Sequence, residues 1–305
     1  MLPMRTYLGT WQTAPSDGFW TDQSLRDSEN VISRAVRLGV RCFDTAQSYG
    51  KGRSEQTLAK ILRRFPDLSF TVDTKIMPSA KNPEELLKIS LERLKPLTVD
   101  CLYLHWPRSG FDNMDFLRKM DYLKERKLIG KLGVCNLPLK DLRQFVRSGL
   151  KIDRIQRPVS LLWTRELDET LAFCRENNME LAAYSPTGMG LLSGKYRNAQ
   201  DLRDGRSKLF CFNEKCLKAY HDLLDLVART AENNGLTNTD VARIWTENTN
   251  SDIIIIGARN TDQLEQNLRK NLKLSSSDLS DLSAAAKKLD RSSMDVCENI
   301  FSYNW

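Results

Sequence analysis

Short apolar or β-branched runs recur along the whole chain, and most of the stretches between them have the apolar spacing of amphipathic helices. The runs predict eight strands, at residues 7–11, 41–44, 70–75, 100–105, 130–136, 154–160, 181–185 and 253–257. The spacing between them predicts helices that include residues 28–38, 54–63, 83–94, 116–126, 139–146 and 167–176. Such alternation is typical of parallel strands that are joined by crossover helices.

The number of these strand and helix units favours a closed barrel. Eight units suit an α/β fold of the (β/α)8 TIM barrel type better than an open doubly wound sheet, and no Gly-x-Gly-x-x-Gly turn follows the first strand. No Pro/Gly/Ser-rich stretch or charge run divides the 305 residues, so we expect residues 1–305 to form a single domain.

The connection over about residues 187–252 is unusually long. It begins with the Gly-rich segment TGMGLLSGK and continues with a helical pattern over residues 213–233. A long connection after a barrel strand usually builds part of the ligand site. The chain ends in an aromatic tail over about residues 290–305.

Charge, cysteine usage and hydropathy exclude several classes of protein. The net charge of +7 is spread along the chain without a dense basic tract, which slightly favours anionic small ligands and argues against nucleic acid. The seven cysteines form no Cys-x-x-Cys pair, so we expect reduced thiols in a cytoplasmic protein. Residues 1–11 lack the apolar run of a signal peptide, and no run is long enough for a membrane helix. We expect no membrane partner, no metal site and a monomer.

Three consecutive predicted strands end in an ionisable side chain: Asp44, Lys75 and His105. The carboxyl ends of parallel barrel strands meet on one face, where barrel enzymes carry their active sites. Because charges at the rim of an apolar barrel are costly unless paired, we expect an ion pair between Asp44 and Lys75. Tyr49 follows Asp44 closely enough to reach the same face.

Each of these residues also has a structural interpretation. Taken singly, they read as a capping or loop aspartate, a rim lysine, a core histidine and a packed loop tyrosine. Their joint placement at successive strand ends favours a site, and the chain has only two histidines. The second, His221, lies in a helical pattern and is predicted to be structural.

A tyrosine beside a charged lysine can serve as a general acid. The positive charge favours the phenolate, so we expect the pKa of Tyr49 to fall from about 10 toward neutral pH. When hydride reaches a carbonyl carbon, negative charge develops on the oxygen, which a proton donor and a neutral imidazole stabilise. Asp44 would orient Lys75 and offset its charge.

Several motifs, in order and in register, resemble the aldo-keto reductase family over nearly the whole chain. They are LGTWQ (8–12), FDTAQSYGKGRSEQTL (43–58), TK (74–75), DCLYLHWP (100–107), IGKLGVCN (129–136), Gln156, AYSPTGMGLLSGKY (183–196) and IIGARNTDQLEQNL (255–268). The resemblance implies NADPH-dependent reduction of an aldehyde or ketone to an alcohol, or the reverse oxidation. It also implies a catalytic tetrad of Asp44, Tyr49, Lys75 and His105.

The resemblance implies further that NADP(H) lies extended across the top of the barrel. The residues at the nicotinamide end would be Gly9, Thr10, Trp11, Asp44, Asn136, Gln156 and Tyr184, with the two amides on the carboxamide and the tyrosine stacked on the ring. The pyrophosphate loop would contribute Ser185, Pro186, Gly188, Leu191, Ser193, Gly194 and Lys195. The adenosine end would contribute Gly257, Arg259, Gln263, Gln266 and Asn267.

The adenosine end bears on cofactor preference. Arg259 suits a 2′-phosphate because a guanidinium is a planar and permanent cation. The chain departs from the commoner family pattern at Cys135, where serine is usual, and at Gln266, where an acidic residue is common. Both departures concern cofactor affinity rather than the reaction class.

The substrate pocket implied by the resemblance contains Trp11, Tyr49, His105 and Trp106 and would take a small-molecule carbonyl substrate of apolar or aromatic character. Phe19, Trp20 and the tail ENIFSYNW would either cover its opening or pack outside the barrel. Two alternatives remain: an NADPH-binding regulatory subunit like the potassium-channel β-subunits of this family, and a lyase that uses Lys75 as a Schiff base. The intact tetrad favours turnover over the first, and the surrounding motifs argue against the second.

Overall fold

The computed structural model describes residues 4–14, 20, 23–294 and 296. Eight parallel strands pair in chain order and close into a barrel, which confirms the predicted TIM barrel. The strands are Arg5–Gly9 (β1), Cys42–Asp44 (β2), Thr71–Ile76 (β3), Cys101–Leu104 (β4), Lys131–Cys135 (β5), Arg154–Pro158 (β6), Glu180–Tyr184 (β7) and Ile253–Ile256 (β8). Each predicted strand overlaps an observed one, with ends that differ by at most two residues.

Helices surround the barrel in the described part of the chain. They are Leu25–Arg37 (α1), Arg53–Leu62 (α2), Pro83–Leu94 (α3), Asn113–Glu125 (α4), Leu139–Arg147 (α5), Leu167–Glu176 (α6), Glu214–Asn233 (α7), Asn238–Glu247 (α8), Thr261–Asn267 (α9) and Ser276–Ser292 (α10). Local signals determine several of the helix starts. Asn82 accepts a hydrogen bond from the Glu84 amide at the start of α3, where Pro83 occupies the first helical position.

The long connection between β7 and β8 contains more structure than expected. Short 3-10 turns lead from β7 into α7, and α8 follows before β8. The prediction of one helix in this connection was incomplete, because the capping box of Thr237 and Asp240 begins a second one. The first residues of the tail predicted over about residues 290–305 belong to α10, which continues to Ser292. Residues 295 and 297–305 of that tail lie outside the described residues.

The barrel interior contains a buried ion pair below the carboxyl ends of the strands, in addition to the pair that is expected between Asp44 and Lys75. Arg154 on β6 lies 2.5 Å from the carboxylate of Asp73 on β3, and both side chains are almost completely buried. Arg154 also contacts Glu180 at 2.8 Å, and the Tyr103 hydroxyl donates to Asp73 at 3.2 Å. Burial raises the pKa of Asp73 to about 7, although Arg154 opposes the rise.

Strand β3 connects this pair to the expected pair of Asp44 and Lys75, which lies nearer the carboxyl ends of the strands. Side chains two residues apart on a strand point to the same face, so Asp73 and Lys75 both enter the barrel interior. In the register of the sheet, Asp73 pairs with Asp44 of β2. The two carboxylates are therefore neighbours, and each requires a cation.

We expect Arg154→Met to lower the free energy of unfolding by about 3–5 kcal/mol at about pH 8, because Asp73 loses its buried cation. The folded-state pKa of Asp73 lies above the ordinary aspartate pKa of 3.8, so proton uptake by Asp73 favours the folded state as the pH falls through about 7. The loss should therefore shrink toward about pH 5. Urea denaturation at both pH values measures it.

Lys88→Met provides the matched control, because Lys88 forms an exposed ion pair with Glu84 on α3. That change should alter the free energy of unfolding by less than about 1 kcal/mol at either pH. An equal loss for Arg154→Met at both pH values would show that the buried carboxylate is not its cause.

Candidate active site

A large cavity of about 840 Å³ opens at the carboxyl ends of the strands. Trp11, Tyr49, His105 and Trp106 form an aromatic part of its lining, and the residues that follow β8 form a polar part, called the polar end below. The predicted residues that line it are Gly9, Trp11, Asp44, Tyr49, His105, Trp106, Asn136, Gln156, Tyr184, Ser185, Pro186, Ser193, Lys195, Gly257, Arg259, Gln263, Gln266 and Asn267.

The expected ion pair between Lys75 and Asp44 is present at the floor of this cavity. Lys75 Nζ donates to Asp44 Oδ1 at 2.6 Å and to the Thr45 carbonyl at 2.7 Å, and both charged side chains are buried. The second carboxylate oxygen of Asp44 accepts from Gln156 Nε2 at 2.8 Å. Lys75 also lies 3.3 Å from the Tyr49 hydroxyl, so the ammonium joins the aspartate to the tyrosine.

Protonation of this cluster follows from burial and charge together. Burial alone would lower the pKa of Lys75, but the adjoining Asp44 and Tyr49 raise it above its usual value. Burial raises the pKa of Tyr49 to about 12, and the charge of Lys75 offsets only part of the rise. The expectation that the pKa of Tyr49 falls toward neutral pH was therefore wrong, because desolvation of the phenolate outweighs the lysine. At neutral pH Tyr49 retains its proton and Lys75 retains its charge.

His105 is neutral in this environment. Burial, followed by the charge of Lys75, lowers the pKa of His105 well below its usual range. Its Nδ1 lies 3.3 Å from Ser48 Oγ, and its ring meets that of Tyr49 edge-to-face at 5.5 Å. The side-chain amide of Asn136 donates through Nδ2 to the His105 carbonyl at 3.1 Å. A neutral imidazole can donate a hydrogen bond without placing a second positive charge beside Lys75.

Aromatic rings form one wall of the cavity. Trp11 stacks with Tyr49 at 6.1 Å between ring centroids, and Trp20 meets Trp11 edge-to-face at 5.6 Å. Trp106 lies beside His105 at 6.2 Å. Trp20 therefore lies in the cavity wall rather than on the outer surface. Phe19 and the tail at residues 298–305 lie outside the described residues.

Four predicted cofactor residues do not line the cavity: Thr10, Gly188, Leu191 and Gly194. The Thr10 hydroxyl faces the protein and donates to the Asp44 carbonyl at 2.9 Å, while Leu191 is fully buried in the core. Both glycines have positive φ and shape the loop. A Cβ at Gly188 would lie 2.6 Å from Leu162 Cδ1, and a Cβ at Gly194 would lie 2.8 Å from Asn238 Nδ2.

The two predicted carboxamide ligands already have protein partners. Gln156 donates to Asp44, and Asn136 Oδ1 accepts from the Tyr184 hydroxyl at 2.6 Å. Each primary amide has two N–H groups and an oxygen with two lone pairs, so these contacts do not exhaust either side chain. They orient both amides in the cavity.

The polar end of the cavity is cross-linked by hydrogen bonds. Arg259 Nε donates to Gln23 Oε1 at 3.2 Å, and Gln263 Oε1 accepts from the Arg259 amide at 2.9 Å. Gln266 Nε2 donates to the hydroxyls of Thr237 at 2.6 Å and Thr239 at 2.7 Å. The contacts of Gln266 bring the start of α8 beside the end of α9.

Sequence reasoning missed several residues that line the cavity, which include Gln12, Ser48, Thr187, Met189, Gly190, Tyr196, Arg206, Thr237, Asn238 and Thr239. Arg206 lies between the rings of Trp20 and Tyr196, at 5.1 Å from each, and donates to Asp204 and to the Met189 carbonyl. Its local sequence carries no motif, and Trp20 is distant in the chain, so no sequence pattern could have indicated this contact.

Metal and membrane features are not found in the described part of the chain. Residues 4–14, 20, 23–294 and 296 contain no cluster of three or more His, Cys, Asp or Glu side chains with the arrangement of a metal site. No helix within the same ranges is long and apolar enough to cross a membrane.

Comparison with known proteins relates this site to a family. The NADH-specific methylglyoxal reductase of Escherichia coli is 26% identical and aligns over 94% of this chain and 96% of its own length. A glycerol dehydrogenase from Gluconobacter oxydans has the same fold, with a TM-score of 0.75 at 23% identity over 99% of this chain and 94% of that one. An aldo/keto reductase from Klebsiella pneumoniae, solved with NADP and acetate, gives a TM-score of 0.69 at 21% identity over 92% and 90%.

The model of the aldo/keto reductase family matches residues 6–287. This range extends from within β1 to within α10, so it includes the whole cavity and all the strands that form it. The resemblance seen in the sequence motifs is thereby confirmed. The chain belongs to the aldo/keto reductase family and is an oxidoreductase of this carbonyl-reducing group.

Proposed function

We propose that the chain reduces an aldehyde or ketone to an alcohol with NADPH and that Tyr49 is the general acid. The observation that carries the proposal is the contact of Tyr49 OH with buried Lys75 Nζ at 3.3 Å, beside neutral His105 in one cavity. A protonated phenol and a neutral imidazole are donors suited to an oxygen on which negative charge develops. The reverse oxidation would use the same groups with the proton moving in the opposite direction.

The cavity fits a nicotinamide dinucleotide by shape and charge. Its volume of about 840 Å³ exceeds what a small carbonyl compound needs, and it extends from the aromatic wall to the residues that follow β8. Lys195 and Arg259 line it and supply cations for phosphate groups, whereas Arg206 is already paired with Asp204. The orienting contacts of Asn136 and Gln156 present amide groups beside His105 and Asp44, where a carboxamide would bind.

Each residue of the cluster has a separate task in the proposed reaction. A bound nicotinamide supplies the hydride. Tyr49 releases its phenolic proton to the carbonyl oxygen, and the ammonium of Lys75 stabilises the phenolate that remains. Asp44 orients Lys75 and balances its charge through their 2.6 Å contact. His105 donates a hydrogen bond to the same oxygen and orients the substrate.

The preference for NADPH over NADH rests on Arg259. Its guanidinium lines the polar end of the cavity, where a charge-assisted contact with a 2′-phosphate would form. The Klebsiella pneumoniae structure contains NADP, whereas the Escherichia coli relative is an NADH-specific enzyme. Cofactor choice thus differs among the proteins compared, and Arg259 supports NADPH for this chain.

The alternatives are less well supported. The joint placement of Asp44, Tyr49, Lys75 and His105 in one cluster favours turnover over a regulatory subunit. A Schiff-base lyase needs a neutral amine as nucleophile, but Lys75 is a buried ammonium that donates to Asp44 and the Thr45 carbonyl. Both a monomeric state and a cytoplasmic location remain predictions from the sequence.

Replacement of Tyr49 by Phe should reduce carbonyl turnover by about 10²–10⁴-fold, because the ring remains while the proton donor is removed. NADPH binding, followed by quenching of protein fluorescence, should be retained. Because the pKa of Tyr49 is raised to about 12, wild-type reduction should show no loss from Tyr49 ionisation across the neutral pH range. Reduction of a panel of unactivated aldehydes measures the effect.

Tyr122→Phe is the matched control, since Tyr122 is 57% exposed on α4 outside the barrel. It should reduce the same aldehydes at the wild-type rate. If Tyr49→Phe also turned over normally with NADPH bound, the acid would have to be a different group, with His105 the next candidate.

Replacement of Arg259 by Ala should weaken NADPH binding by about ten- to a hundredfold and NADH binding much less, because only NADPH offers a 2′-phosphate. Dissociation constants for both cofactors, measured by fluorescence titration, test this expectation. Arg203→Ala removes an exposed arginine that does not line the cavity and should leave both constants unchanged. Equal weakening of the two cofactors by Arg259→Ala would refute the assignment.

A further inference from the structure

Ser48 occupies a position between the two proposed hydrogen-bond donors of the site. It directly precedes Tyr49, lines the cavity, and its Oγ lies 3.3 Å from Nδ1 of His105. Within residues 4–14, 20, 23–294 and 296, this is the only hydrogen bond of the Ser48 hydroxyl. The hydroxyl therefore has one protein partner, the His105 ring.

The contact bears on which ring nitrogen of His105 carries the proton. The pKa of His105 is lowered by burial and by Lys75, so the ring is neutral and has one N–H. In a neutral imidazole, the hydrogen bond at one nitrogen sets the proton at the other. If Ser48 donates to Nδ1, the proton is on Nε2, which has no protein hydrogen-bond partner among the described residues.

We propose that Ser48 is a positioning residue that fixes the Nε2–H tautomer of His105. In this tautomer Nε2–H is a donor for a carbonyl oxygen in the cavity, beside the Tyr49 hydroxyl. The opposite tautomer would present an Nε2 lone pair to that oxygen and would oppose the negative charge that develops there. The catalytic part of this inference rests on the proposed carbonyl reduction, whereas the tautomer itself does not.

The backbone fixes Ser48 relative to Tyr49. Ser48 directly precedes the 3-10 turn Tyr49–Gly52, in which Gly50 and Lys51 have positive φ. The carbonyl of Ser48 accepts from the Lys51 amide at 3.1 Å. The ring of Tyr49 meets that of His105 edge-to-face at 5.5 Å. The same short turn thus positions the proposed acid and the group that orients the imidazole.

The tautomer can be read directly by NMR on protein labelled with ¹⁵N-histidine, because the chain has only two histidines. His221 provides an internal reference: its Nε2 lies 2.7 Å from the Arg197 carbonyl, which can only accept, so Nε2 carries a proton. Long-range ¹H–¹⁵N spectra of the wild type should show the Nε2–H pattern for both rings. An Nδ1–H pattern for His105 would overturn the proposal.

Ser48→Ala should shift His105 toward a mixture of tautomers, and Ser48→Thr, which retains a hydroxyl, should restore the wild-type pattern. The His221 signals should remain unchanged in both variants, which shows that the fold is retained. With NADPH and an aldehyde, Ser48→Ala should lower kcat by about three- to tenfold with little change in KM, and Ser48→Thr should recover most of the rate.

The two readouts separate failure of this inference from failure of the proposed function. A Ser48→Ala spectrum and rate equal to those of the wild type would overturn the role of Ser48, even if Tyr49→Phe is inactive. A tautomer shift in Ser48→Ala would support that role even if Tyr49→Phe remained active and the acid had to be reassigned.

Discussion

The structure of the site depends on one buried ion pair, Lys75 with Asp44. Removing two charges from water is costly, and a buried pair is retained without penalty only when its geometry and remaining hydrogen bonds are good. Here the ammonium also donates to the Thr45 carbonyl, and the second carboxylate oxygen accepts from Gln156. The pair thereby connects β2, β3 and β6 and supplies a positive charge beside the Tyr49 hydroxyl.

A second buried ion pair, Asp73 with Arg154, lies below it, so each of the two buried carboxylates has its own cation. Asp73 lies in register with Asp44, and Arg154 provides its cation from β6, the strand that also carries Gln156. Strands β3 and β6 therefore each carry one residue that contacts Asp44 and one residue of the second pair. This arrangement requires the registers of several strands at once, so packing and electrostatics specify the same barrel.

Much of the fold could be predicted because its signals are local. Apolar runs mark each strand of the barrel, and Asn82 with Pro83 marks the start of α3. The site was predicted in part because Asp44, Lys75 and His105 end neighbouring strands, which the parallel topology brings together. The helices α8 and α10 were missed although capping boxes at Thr237 and Ser275 begin them.

The remaining features depend on contacts that no local pattern encodes. The direction of the Tyr49 pKa shift depends on how deeply the phenol is desolvated, which the sequence does not specify. The contact of Ser48 with His105 spans a sequence separation of 57 residues, and Arg206 contacts the ring of Trp20 from a distant segment. Thr10 and Leu191 do not line the cavity, because family spacing identifies positions but not the direction of side chains.

The most direct test of the central ion pair is a double-mutant cycle with Asp44→Asn and Lys75→Met, measured as the free energy of unfolding in urea. If the pair acts as one unit, each single variant should lose about 3–5 kcal/mol, because the remaining charge or polar group is left buried without its partner. The double variant should then lose at least about 1 kcal/mol less than the sum of the two. If the loss of the double variant equals the sum of the two single losses to within about 0.5 kcal/mol, Lys75 and Asp44 are not coupled and the central role of the pair is contradicted.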